Sequence, residues 1–235
     1  MIALHNISKQ FGKLEVLKHI ELSFNQGECI AIVGPNGCGK TTMIKSILNM
    51  VIPDSGQILF NGIDIRNHYK YRMDIGYMPQ IGRYPENMNI GQVIKTIKLL
   101  RGSNSKLDDE LYIQFGVDQL KSKKMATLSG GTRQKVSAIL AFMFNPKVLI
   151  LDEPTAGLDP LSAELLKEKI LKEKNNGKLV LISSHLLAEL DDIVSEVVFM
   201  EDGNILFHKN TAIIKKETGE QTISKAITRI LKKSI

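Results

Sequence analysis

The sequence predicts an α/β fold: a mostly parallel sheet with crossover helices, an N-terminal antiparallel β subdomain and an α-helical insertion. Three observations carry this. From residue 130 onward, helical and strand patterns alternate, with helices over 132–144, 161–174 and 186–193 and strands over 148–151 and 179–182. Such alternation implies parallel strands joined by crossover helices. The first sixty or so residues read instead as strands and tight turns. Between Gly82 and Leu128 apolar residues recur at helical spacing.

The elements follow in order. Segments 4–11 and 16–24 are β-rich and are separated by a turn at Gly12. Asn25-Gln26-Gly27 makes the next turn, and the apolar run 29–33 has the pattern of a strand buried on both faces. A glycine-rich loop opens a helix over 40–50, which Pro53-Asp54-Ser55-Gly56 breaks. Strands 57–60 and 63–65 flank Asn61-Gly62, a strong hairpin signal. In the insertion, Val93, Ile94, Ile97 and Leu100 mark one helix; Leu107, Leu111 and Phe115 mark a second, which Gly116 can end. The chain closes with a hairpin around Asp202-Gly203-Asn204 and a basic amphipathic helix carrying Ile223, Ile227, Ile230 and Leu231. The expected organisation is one domain over 1–235. Its core and β subdomain occupy 1–81 and 129–210, the helical insertion 82–128 and the basic helix 211–235.

Composition narrows the function classes. Hydrophobic residues make up 43% and charged residues 24%, ordinary for a globular chain. Aromatics are only 6% with no Trp, which argues against a stacking surface for nucleic acid. No apolar stretch approaches the roughly 18 residues of a spanning helix. The N-terminus lacks a basic region followed by an apolar core, so a cytoplasmic location is expected. Cys29 and Cys38 suggest neither a metal framework nor a disulfide framework. The net charge of +6 is concentrated: 206–235 holds seven Lys/Arg against two Glu. A solvated helix face explains that tail more simply than an anionic lipid or protein partner.

Gly34-Pro35-Asn36-Gly37-Cys38-Gly39-Lys40-Thr41 fits G-x-x-x-x-G-K-[ST] between a buried strand and a helix. Glycines let backbone N–H groups turn inward around phosphates, and the helix N-terminus adds partial positive charge. Lys40 places a point charge on the β and γ phosphates. Thr41 offers a hydroxyl to Mg²⁺, and Thr42 reaches an α-phosphate oxygen. An ordinary glycine-rich turn would need neither the flanking strand nor the helix. Strand 148–151 ends in Asp152-Glu153. Ligands of open α/β sheets gather at the carboxyl ends of strands. Asp152 is therefore expected to hold Mg²⁺ through water, and Glu153 to polarise the attacking water. Alone, two acids after a strand would serve equally well as a turn or a helix cap.

Three more stretches narrow the class: Leu128-Ser129-Gly130-Gly131-Thr132-Arg133-Gln134, Tyr77-Met78-Pro79-Gln80, and Leu181-Ile182-Ser183-Ser184-His185. With these the chain resembles the nucleotide-binding subunit of ABC transporters from residue 4 to about 207. The resemblance implies the ABC ATPase fold, a P-loop NTPase core with ATP and Mg²⁺ as its ligands. It gives Gln80 the role of Mg²⁺ and water ligand and link to the helical insertion. Ser129, Gly130 and Gly131 become the signature that meets the γ-phosphate held by the opposite subunit. Glu153 matches the catalytic base and His185 the switch histidine. Ala156-Gly157-Leu158-Asp159 matches the loop that crosses the dimer interface. Phe11 takes the position that stacks on adenine, with Val16 nearby. Phe11 replaces the commoner Tyr, which keeps the π face. Thr132 stands where many members carry Gln. Cys38, inside the loop, reads as a small buried filler rather than a reactive thiol.

The implied function is the ATP-hydrolysing motor of a membrane transporter, with two ATP bound at a head-to-tail dimer interface. The partners implied are a separate transmembrane permease subunit and a second copy or paralogue. Nucleic acid is not expected. The subunit would lie peripherally on the inner face of the cell membrane. A soluble ABC-type ATPase, such as an iron–sulfur assembly component, is the alternative; a small-molecule kinase conflicts with the signature stretch. Arg83-Tyr84-Pro85-Glu86-Asn87 resembles copper-processing members that mature nitrous oxide reductase.

Overall fold

The computed structural model describes residues 1–102, 107–184 and 190–233. In chain order the strands are β1 (Ile2–Phe11), β2 (Leu14–Phe24), β3 (Cys29–Val33), β4 (Ser55–Phe60), β5 (Ile63–Asp64), β6 (Ile75–Met78), β7 (Val148–Asp152), β8 (Leu179–Ser183), β9 (Glu196–Glu201) and β10 (Asn204–Asn210). The helices are α1 (Lys40–Ile47), α2 (Ile90–Arg101), α3 (Glu110–Gln114), α4 (Gly130–Phe142), α5 (Pro160–Asn175), α6 (Thr211–Thr218) and α7 (Ile223–Lys233). They fall into two compact units, one of residues 1–71 with 179–235 and one of residues 72–178.

The first unit holds an antiparallel sheet and a largely parallel one. The antiparallel sheet runs β2-β1-β4-β5. Alternation in β1 and β2, reset where their pairing shifts register after Leu4, buries Ile2, Leu4 and Ile7 against Leu17, Ile20, Leu22 and Phe24. The β4–β5 hairpin turns at Asn61 and Gly62, both at positive φ (51° and 80°), as the dipeptide predicts. β3 lies between β8 and β9, parallel to both, and β10 returns antiparallel to β9. All five β3 residues are buried, as its unbroken apolar run requires. α1 ends at Ile47, earlier than the predicted 50. Asn49 takes positive φ there and sends its side-chain amide to the Ile65 carbonyl. The C-terminal segment holds α6 as well as the expected basic helix α7. α6 is capped by the Asn210 side chain, which accepts from the Ala212 N–H. Ile223, Ala226 and Ile227 are buried on α7.

In the second unit β6 runs parallel to β7, with Ile75 opposite Val148. α2 opens with a capping box between Asn89 and Gln92. The predicted helix through Leu107, Leu111 and Phe115 shrinks to the five residues of α3, with Gly116 at φ 61° behind it. Short 3₁₀ turns follow at Val117–Leu120 and Met125–Thr127. α4 begins at Gly130, two residues before its predicted start, because Ser129 caps it. Buried Lys169 on α5 reaches Asp108 (2.5 Å), Glu110 (2.8 Å) and Glu173 (2.7 Å). Burial opposes its charge, but these carboxylates prevail and raise its pKa above the ordinary lysine value. The predicted helix 186–193 lies largely outside the described residues.

Candidate functional site

In the first unit the loop 34–39 leads from the buried end of β3 into α1. Gly34 has φ 151°, and a Cβ there would stand 2.0 Å from the Met200 carbonyl oxygen and 2.8 Å from Cys38 Sγ. A side chain at this position would displace backbone, so the tight loop depends on glycine. Cys38 is buried, the filler its position suggests. Lys40 is only 9% exposed. Its ammonium donates to the carbonyls of Gly34 (2.7 Å) and Pro35 (3.0 Å), across the loop it follows. The loop thus converges on its own cation at a helix N-terminus with no acid in the first turn. That chemistry suits a polyphosphate.

Pro35, Asn36 and Gly37 are exposed, as is Thr41, while Thr42 is half-buried. Thr41 is a hard oxygen donor, of the kind Mg²⁺ takes alongside phosphate and water. Phe11 closes β1 and is 49% exposed, with Lys9 Nζ 5.3 Å from its ring centroid. Phe11 is thus half open to solvent, unlike a core residue, with a cation over its ring. Val16 is half-buried on β2, and its carbonyl lies 2.6 Å from where a Cβ on Gly39 would stand. His185 lies outside the described residues.

In the second unit, Asp152 ends β7 and is 4% exposed. Burial, then the charge of Asp152, pushes the Tyr77 phenol up to about 12. A buried carboxylate at a strand end is a fitting oxygen donor for a hard cation. Among the described residues no three His, Cys, Asp or Glu side chains cluster as a cage. Glu153 follows with φ 51°, a left-handed conformation that costs a non-glycine residue about 1–2 kcal/mol. Such strain concentrates where function requires it. Gln80 is exposed two residues after β6.

The signature stretch forms the N-terminus of α4. The Ser129 hydroxyl accepts from the Thr132 N–H at 3.3 Å and lies 2.9 Å from the Thr132 hydroxyl. Thr132, a departure from the common pattern, thus completes the cap. Gly130 is exposed. A Cβ on Gly131 would stand 2.6 Å from the Gly157 carbonyl oxygen, which brings the signature against 156–159. Asp159 caps α5 by accepting from the Ser162 N–H (2.9 Å) and pairs with Lys135 of α4 at 2.8 Å. The Lys135 contact, with the bonds from Ser162, holds its carboxyl well below the usual range.

Sequence reasoning missed the polar contacts that α4 makes with distant segments. Gln134 Nε2 donates to the Glu153 carbonyl at 3.2 Å, and the Tyr84 and Ser137 hydroxyls lie 2.8 Å apart. One signal was available: Gln134 and Ser137 are polar residues in a helix whose other buried residues are Val136, Ala138, Ile139, Ala141 and Phe142.

Residues 17–156 match the ABC transporter family. The chain is 29% identical to the lantibiotic transport ATP-binding protein SrtF of Streptococcus pyogenes, over 89% of this chain and 90% of that protein. It is 26% identical to a solved ATP-binding subunit of an ABC transporter, covering 98% of this chain and 99% of that one with a TM-score of 0.90. A dimeric ATP-binding cassette in a post-hydrolysis state, bound to ADP and Pi, shares the fold at 22% identity and a TM-score of 0.80, covering 89% of this chain and 98% of that one.

Proposed function

The chain belongs to the ABC transporter family, and we propose that the residues its sequence singles out perform the family's ATP-driven work. The protein is an ATPase, the motor subunit of a membrane transporter, with ATP and Mg²⁺ as its ligands. A soluble assembly-type ATPase is not favoured. Among the described residues no helix is long and apolar enough to cross a membrane. The reading includes a separate permease subunit that keeps this chain at the inner membrane face. It also includes a second copy or paralogue.

The observation that carries the site reading is the loop 34–39 wrapped around Lys40 at the N-terminus of α1. In the first unit, Lys40 and the loop amides receive the β and γ phosphates, Thr42 meets the α-phosphate, and Phe11 with Val16 supports the adenine. Thr41 supplies a metal-ligand oxygen. In the second unit, Asp152 and Gln80 are the candidate oxygen donors to Mg²⁺ and its water. Glu153 accepts the proton of the attacking water. Bound Mg²⁺ offsets phosphate charge. Ser129, Gly130 and Gly131 serve the phosphate held by the opposite subunit, Asp159 lies on the loop facing that subunit, and His185 contacts the γ-phosphate. Cargo and direction belong to the permease.

Co-purification tests the transport reading. Captured from detergent-solubilised membranes of its own organism, the protein should bring one integral membrane protein in stoichiometric amount. Recovery free of any membrane protein from intact, ATP-supplied membranes would count against it.

A further inference from the structure

Glu153 lies one residue beyond the end of β7, so its carbonyl points away from the strand ladder and needs partners of its own. It has two. The Ala156 N–H donates to it at 3.2 Å within the local turn, and the Gln134 side chain donates at 3.2 Å from α4. Gln134 is 4% exposed. A buried amide is retained where its hydrogen bonds are needed, because an apolar residue of similar length fills the same space without desolvating polar atoms. The carbonyl it clamps belongs to a residue at φ 51°. Fixing that peptide plane fixes the direction in which the Glu153 side chain leaves the backbone.

We propose that Gln134 is a positioning residue for Glu153: its amide holds the left-handed backbone at 153 and so aims the carboxylate. The inference rests on the reading of Glu153 as the base. It goes beyond that reading by placing control of the base on the signature helix itself. Ser129 and Gly131 open the helix that carries Gln134. Contact made at the signature and the aim of the base are therefore joined through about one helical turn. Neighbouring contacts stiffen the connection, with Gly131 against Gly157 and Lys135 paired to Asp159 on the segment that follows Glu153.

The test measures hydrolysis and binding separately. Gln134→Met removes the donor at nearly constant length, and Gln134→Glu keeps the shape while replacing the donating NH₂ by carboxylate oxygen. In each, kcat should fall about 10- to 100-fold, the scale expected when a reacting group is displaced by about 1 Å. Mg-ATP affinity by calorimetry should not change. The same substitutions in a Glu153→Gln background should leave the residual rate where it is, since no base remains to be aimed. Wild-type kcat in both variants overturns the inference. So does an equal fall in both backgrounds, which would make Gln134 a general support of the fold. Wild-type hydrolysis by Glu153→Gln alone would remove the base assignment instead, so the two failures are distinct.

Discussion

The loop 34–41 and the segment around α4 both place small residues at a helix N-terminus, but different contacts hold them. In the loop the contacts are short-range. Lys40 bonds to carbonyls six and five residues back, and Cys38 N–H to the carbonyl of Pro35. Around α4 they are long-range: Gln134 reaches Glu153 across 19 positions, and Tyr84 meets Ser137 across 53. A phosphate cradle can be encoded in eight consecutive residues because its ligand is recognised by backbone amides and one cation. A water-activating base needs a carboxylate aimed at a point, and its supports come from several parts of the chain.

This difference is open to test. The largest effect is expected at the long-range site. Glu153→Gln keeps shape but removes the proposed base, and general-base catalysis contributes 10²–10⁴-fold. Steady-state hydrolysis should fall by at least about a hundredfold while Mg-ATP binding survives. The variant should then collect as an ATP-dependent dimer on size exclusion. Adding Ser129→Arg should disperse that dimer by placing a long side chain at the signature. A monomeric Glu153→Gln protein in saturating Mg-ATP would sink the two-chain reading.

The loop should respond in the opposite way, through binding. Lys40→Ala removes the side-chain cation of the cradle. Charged hydrogen bonds contribute about 1.5–3 kcal/mol each, so Mg-ATP affinity should drop about 10- to 100-fold or more by calorimetry. Unchanged affinity would show that phosphate binds elsewhere. Phe11→Ala should weaken ATP by about 1–3 kcal/mol, taking base stacking on aromatic side chains as the guide. Phe11→Tyr should restore it. Equal affinities in the three proteins would return Phe11 to the role of an exposed strand end.

The same contrast explains what could be read from the sequence. The loop, the Asn61-Gly62 hairpin, the buried strands β3, β7 and β8 and the helical insertion were legible because spacing and turn chemistry are local signals. Glu153 was legible as an acid after a strand, but its positive φ was not, since Glu has no preference for that region. The α3 segment was overextended because Leu107, Leu111 and Phe115 keep helical spacing while only part of that run is helical. Thr132 was noted as a departure, but its bond to Ser129 depends on side-chain geometry at the cap.

The smallest effect should come from the contact between α4 and the loop 156–159. Asp159 accepts from the Ser162 N–H and pairs with Lys135. Asp159→Asn keeps a good helix cap, since Asn and Asp serve alike there, and removes the ion pair. The pair is partly exposed, so salt should screen it. In the folded protein the Lys135 contact and the bonds from Ser162 hold the Asp159 carboxyl below the ordinary carboxylate range. Its contribution is therefore fully present above the ordinary carboxylate range and declines as pH falls below that range toward the depressed folded-state pKa. Urea denaturation should find the substituted protein slightly less stable than wild type at neutral pH and low salt. The gap should narrow in strong salt and shrink steadily as pH is lowered below the ordinary carboxylate range. A gap that stays constant through acid would mean the loss comes from the cap. In that case the link from α4 to this loop would rest on the close approach of Gly131 to Gly157 rather than on charge.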